Sequence, residues 1–178
     1  MMGLKPNKLR VRLLLTSIQS HERVEQQLEG DLYLKGSSFY LRYVEPALEE
    51  ENSQDSPISS KDSSSDHKPI AVMLKLGQDE WKLTRSGAVQ SEMSFALHRS
   101  LPGRYISKVM AFRLETKTTR MVREDRDWLL PDGQVLRYPA FIAWTYELYV
   151  HEQNTGQFQL ELSIEPMNGA KEEEHNNE

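Results

Sequence analysis

The chain contains no cysteine. That absence excludes disulfide frameworks, thiolate metal sites, iron–sulfur clusters and cysteine nucleophiles together. Long hydrophobic runs are missing too, and no stretch approaches the ~18 apolar residues of a membrane span. The N-terminal stretch sets Lys8, Arg10 and Arg12 between Leu9, Val11 and Leu13, so it lacks the apolar block of a secretory signal. A soluble, cytoplasmic protein without membrane association is expected. Motif chemistry is equally scarce: nothing matches HExxH, GxSxG or a glycine-rich phosphate cradle. The histidines are His21, His67, His98, His151 and His175, and no two lie three to five residues apart. No catalytic residue, metal or cofactor is expected, and the reading leans away from an enzyme. An acid pair assembled from distant strands stays outside what a linear search detects.

What is present suits one domain of 178 residues, with 28% charged and 38% hydrophobic positions and a mean hydropathy of −0.65. The polarity is local. Residues 45–69 carry seven acids against Lys61 and Lys68, and residues 165–178 carry five acids against Lys171. The remainder is mildly basic, with 19 bases and 15 acids. A single β-domain over 1–165 is therefore expected, interrupted by an acidic, serine-rich, disordered insertion at 45–69 and followed by a disordered acidic tail at 166–178. Such compositions bury too little apolar surface to offset the entropy of ordering. Ser59, Ser60, Ser63, Ser64 and Ser65 lie beside acids and are candidate phosphate acceptors.

Elsewhere the apolar residues alternate, the pattern of half-buried strands. Phe158, Leu160, Leu162 and Ile164 share one parity, as do Ile142, Trp144, Tyr146, Leu148 and Val150. In 106–116 the inward set reads Ile106, Met110, Phe112 and Leu114, interrupted by Lys108. Further strands are expected at 8–18, 28–35, 38–45, 70–76, 80–86 and 89–97. The turns are read at Gly36, Gly77, Gly87, Pro102-Gly103, Asp132-Gly133 and Asn154-Thr155-Gly156. About nine strands with short connections favour an all-β, antiparallel up-and-down barrel of about 8–10 strands, which leaves no sheet edge. A β-sandwich is the alternative. Phe39, Phe95, Phe112, Trp144 and Phe158 on the inner rows point to a largely filled interior. Met73, Met93 and Met110 are expected to add adaptable apolar lining.

WKLTRSGAV (81–89), the MSFAL strand (93–97), the strand from Tyr105 into LETKT (114–118), and the hairpin from YELYV (146–150) to FQLELSI (158–164) resemble the YwiB-like family. The resemblance covers about residues 8–165. It implies a bacterial, calycin-like (that is, lipocalin-like) β-barrel of unknown function, with 46–69 and 122–139 as enlarged loops. It carries no catalytic residues to this chain.

Arg85 shares the parity of Trp81 and Leu83, so it is expected to point into the barrel. An arginine there needs an acceptor. One reading makes it the anchor for the acidic head of a small apolar or amphipathic ligand, with Trp81, Tyr105, Trp144 and Tyr146 as further ligand-binding candidates and Tyr43 and Tyr138 as polar tips. The other makes it a structural plug that closes one barrel end by stacking on an aromatic such as Trp144. An interaction or scaffold role through the outer surface and the 46–69 and 119–139 loops is the alternative function. The outward row Val109, Ala111, Ala143 and Tyr149 is soft for a solvent face and suggests a homodimer. Nucleic acid is disfavoured, because the bases at Lys5, Lys8, Arg10, Arg12, Arg120, Arg123 and Arg126 have only Trp128 as a stacking partner.

Overall fold

A computed structural model describes residues 8–45 and 69–167. Residues 46–68 of the expected insertion, its serines and the expected tail beyond residue 167 lie outside the described residues, whereas Glu45 and Pro166, expected at the edges of these disordered segments, each end a strand. Ten strands follow in order: β1 (Lys8–Gln19), β2 (Glu22–Lys35), β3 (Ser38–Glu45), β4 (Ile70–Leu76), β5 (Trp81–Ser86), β6 (Gln90–Phe95), β7 (Ser100–Ile106), β8 (Ala111–Leu129), β9 (Val135–Val150) and β10 (Gln153–Pro166). Every strand is antiparallel to its sequence neighbours, and β1 pairs with β10 to close the barrel. That closure, with Val11 opposite Pro166 and Gln19 opposite Phe158, excludes the sandwich. No helix occurs among the described residues.

The alternation seen in the sequence is what makes the wall. Val11, Leu13 and Leu15 of β1 face Leu162 and Ile164 of β10 and Leu32 of β2 in one buried core. Around the barrel axis the aromatic residues interlock. Trp81 meets Trp144 edge-on with centroids 5.7 Å apart, Phe95 lies 4.8 Å from Tyr146, and Tyr146 stacks on Phe158 at 5.4 Å. A barrel of this strand number either fills or holds one small molecule, and here the middle is filled.

Several boundaries differ from expectation. The strand expected at 106–116 is the end of β7, a turn at 107–110 and the start of β8. Ile106 and Met110 are consequently exposed rather than inward, and Lys108 sits at the hairpin tip. Met73 also points outward, where the Tyr33 hydroxyl contacts its sulfur at 3.7 Å, so only Met93 of the three methionines joins the core. Pro102-Gly103 is not a turn but the middle of β7. A Cβ on Gly103 would collide with the Glu92 carbonyl oxygen and lie 2.6 Å from Leu114 Cδ1, so the glycine is there for close strand approach. The expected 154–156 turn is a bulge between β9 and β10. The reversal is three residues earlier, at His151 (φ 51°) and Glu152 (φ 64°). β2 begins six residues before the strand expected at 28–35; those residues are mostly polar and exposed, so they carry no apolar alternation.

The stretch expected as an enlarged loop at 122–139 is instead a long hairpin of β8 and β9, bent by bulges near Thr119 and Glu124. Its inner side closes one end of the barrel. Arg123 lies over the Phe39 ring at 5.5 Å and forks onto Asp125 at 2.7 and 3.3 Å, while Trp128 packs edge-on against Tyr138. The opposite end, where β3 finishes at Glu45 and β5 at Ser86, is where the polar interior residues gather.

Candidate functional site at the Arg85 end

Pairing brings Tyr43, Val72 and Arg85 level across β3, β4 and β5. The even spacing of a strand then puts Glu45 on the same inner face as Tyr43, one step nearer the mouth. Arg85 Nε donates to both Glu45 oxygens, at 3.2 and 3.4 Å. Both side chains are largely enclosed, 24% and 21% exposed. Among the described residues neither terminal amino group of Arg85 enters a hydrogen bond, so the fork that best matches a carboxylate or phosphate is not occupied by Glu45.

The pair borders a cavity of about 170 Å³. Ser17, Gln26 and Tyr43 supply its other polar groups, and Leu15, Leu83, Leu160 and Trp144 its apolar wall. Burial pushes the Tyr43 hydroxyl well above its ordinary range, with the Arg85 charge opposing and Glu45 adding to the rise. Burial likewise pushes Tyr146 up to about 12, again opposed by Arg85. Both phenols are therefore neutral at physiological pH, and the Tyr43 hydroxyl is a donor in the cavity wall beside the guanidinium.

The expected site residues separate into three groups. Arg85 and Trp144 line the cavity together. Trp81 and Tyr146 belong to the aromatic packing beneath it rather than to its wall. Tyr105 stacks on Phe112 at 4.9 Å and borders a different, shallow depression with His151 and Arg113. Arg85 does point inward, but it does not stack on Trp144 to plug the barrel. The arginine on an aromatic ring is Arg123, at the other end.

Tyr43, expected as a polar tip, lines the cavity; Glu45, Gln26 and Ser17 are not singled out by the sequence. A signal for Glu45 existed, since it continues the inward parity of Phe39, Leu41 and Tyr43; the start of the acidic segment masked it. No cluster of metal-ligating residues occurs among the described residues. His21, His98 and His151 occupy turns with positive φ, far from any nucleophile pattern. The outward row expected to carry self-association is dispersed. Val109 stands 86% exposed on the β7–β8 turn, whereas Ala143 is buried between Glu161 and Val122 on the neighbouring strands.

With this geometry in view, the comparisons with known proteins can be placed. A family model described as "Domain of unknown function (DUF1934)" matches residues 13–162. The chain belongs to this family. The crystal structure of the ywiB protein from Bacillus subtilis is similar to this DUF1934 chain, with a TM-score of 0.61 and 18% identity over 89% of this chain and 92% of that one. At that identity the likeness carries the fold. The resemblance drawn from residues 81–118 and 146–164 thus holds for family and architecture. No curated protein matches the sequence.

Proposed function

We propose that this DUF1934 barrel is a binding protein for a small amphipathic molecule, taken up at the Arg85 end with its acidic group on the guanidinium. One observation carries the reading: an enclosed arginine lines a cavity while its terminal amino groups remain outside its only described ion pair. The acidic group would lie against that fork, within reach of Tyr43. The apolar part would lie against Leu15, Leu83, Leu160 and Trp144. Size restricts the ligand, because a cavity of this order accommodates a body about as large as benzene. Long-chain cargo of the kind a hollow lipocalin-like barrel carries does not fit a middle packed with Trp81, Phe95 and Trp144. Fold alone does not assign cargo.

The test is native mass spectrometry of the protein purified from its own host, with denaturing extraction of whatever travels with it. The expected result is a small acid that is absent from Arg85→Ala. A clean apo mass for the wild type, together with no thermal shift across a panel of small organic acids, overturns the reading.

A further inference from the structure

Among the described residues, Arg85 and Glu45 are the only charged ones lining the cavity, and they already neutralise one another. This constrains the ligand beyond its acidic group. A simple monoanion placed on the Arg85 fork leaves two negative groups around one guanidinium in a largely enclosed site. Uncompensated charge in such surroundings is costly, and two carboxylates sharing a site oppose each other's ionisation. A ligand that also brings a positive group for Glu45 keeps the site neutral and satisfies both residues.

We infer that the ligand is a small zwitterion of the α-amino-acid type with an apolar side chain, an inference that rests on the binding reading above. Three features of the site select it. Its charges sit side by side, with Arg85 Nε and a Glu45 oxygen 3.2 Å apart, and an α-amino acid carries its ammonium and carboxylate on the same carbon centre. The carboxylate faces the terminal amino groups of Arg85, which have no partner among the described residues, and the ammonium donates to Glu45. Its apolar wall, Leu15, Leu83, Leu160 and Trp144, has no charged member, so a third charge on the ligand would have no partner. The volume of about 170 Å³ suits a branched aliphatic amino acid.

The probes are L-leucine, 4-methylpentanoate (the same skeleton without the ammonium) and 3-methylbutylamine (the same skeleton without the carboxylate). Each is titrated into the full chain and followed by calorimetry and tryptophan fluorescence, since Trp144 lines the cavity. L-leucine is expected to bind at least about tenfold more tightly than either analogue, a difference of about 1.4 kcal/mol. Glu45→Gln should bring L-leucine down to the level of 4-methylpentanoate without weakening 4-methylpentanoate itself. If that variant does not fold, the wild-type comparison decides alone. 4-Methylpentanoate binding as tightly as L-leucine would overturn the zwitterion and leave the anionic-ligand reading standing. Failure of all three probes to bind folded wild-type protein at millimolar concentration would overturn the zwitterion as well, and a clean apo mass with no thermal shift across the acid panel would overturn the anionic-ligand reading beneath it.

Discussion

Trp81 and Trp144 meet at 90° across the barrel, ring centroids 5.7 Å apart, and their contact is the floor on which the Arg85 cavity rests. Trp144 is the larger contributor, packed also against Phe95 and almost wholly removed from solvent. Trp144→Ala removes that floor and should cost about 3–5 kcal/mol in a denaturant titration, the range for a large aromatic lost from a core. Trp144→Phe, which keeps a ring in place, should cost clearly less. A loss below about 1 kcal/mol for the alanine variant would show that the barrel middle is not packed as described.

The Arg85–Glu45 pair should behave as a unit. Arg85→Met alone leaves Glu45 enclosed without its partner and is expected to destabilise by about 1–3 kcal/mol. The double change with Glu45→Leu should recover much of that loss. Additive single and double variants in a thermodynamic cycle would mean that solvent, not Arg85, satisfies Glu45.

Alkaline pH should weaken the fold. Tyr146 titrates near 12 in the folded protein because burial disfavours its phenolate, against an ordinary value of about 10 when unfolded. The folded state thus holds its proton longer than the unfolded state does. The stabilisation is complete below pH ~10 and is lost as pH climbs from 10 through 12, amounting to about 2–3 kcal/mol for this group. Tyr43 shifts in the same direction for the same cause and adds to the loss. Unfolding midpoints between pH 9 and 12 check this, and Tyr146→Phe should flatten the curve without abolishing it.

Of the described glycines, Gly103 meets the closest neighbours on gaining a side chain. Gly103→Ala must push against the Glu92 backbone and Leu114 and should cost about 1–3 kcal/mol. A neutral result would mean that β6 and β7 separate easily, and hydrogen exchange at Tyr105 and Glu92 would show it.

Two hairpins reverse through side-chain-bearing residues at positive φ: Ser20-His21 (49° and 69°) and His151-Glu152 (51° and 64°). Two-residue turns of this form favour Asn-Gly. Replacing Ser20-His21 by Asn-Gly should raise stability by about 1 kcal/mol, read as a higher melting temperature. No gain would place the strain relief elsewhere in the hairpin.

The same turns explain where the sequence could and could not be read. Period-two alternation in 8–18, 70–76 and 158–164 identified the wall, because a one-sided apolar row survives any loop length. The His151-Glu152 reversal carries no glycine or asparagine, so attention passed to Asn154 and Gly156, which form a bulge instead. Gly103 misled in the opposite direction, since a glycine kept for close backbone approach looks like a turn residue. Along β8 and β9 the bulges near Thr119 and Glu124 shift the parity, and the alternation that marks a strand dissolves just where the hairpin bends over Phe39. Arg85 was legible through its parity with Trp81 and Leu83. Its partner Glu45 was not, because an inward acid at a strand end next to a run of acids looks like the first residue of that run.

The pairing of β1 with β10 has a consequence during synthesis. Val11 pairs with Gly30 of β2 early but finds its β10 partner only when Pro166 has been made, so one edge of the first strand waits for nearly the whole chain. Until then the nine earlier strands can form a curled sheet with two open borders, at β1 and β9. Such borders recruit strands from other molecules, and late, distant pairing lengthens their exposure. The final hairpin from Trp144 to Ile164 therefore acts as the seam that ends this vulnerable interval, and a nascent chain stalled before residue 153 would remain open to strand exchange with its neighbours.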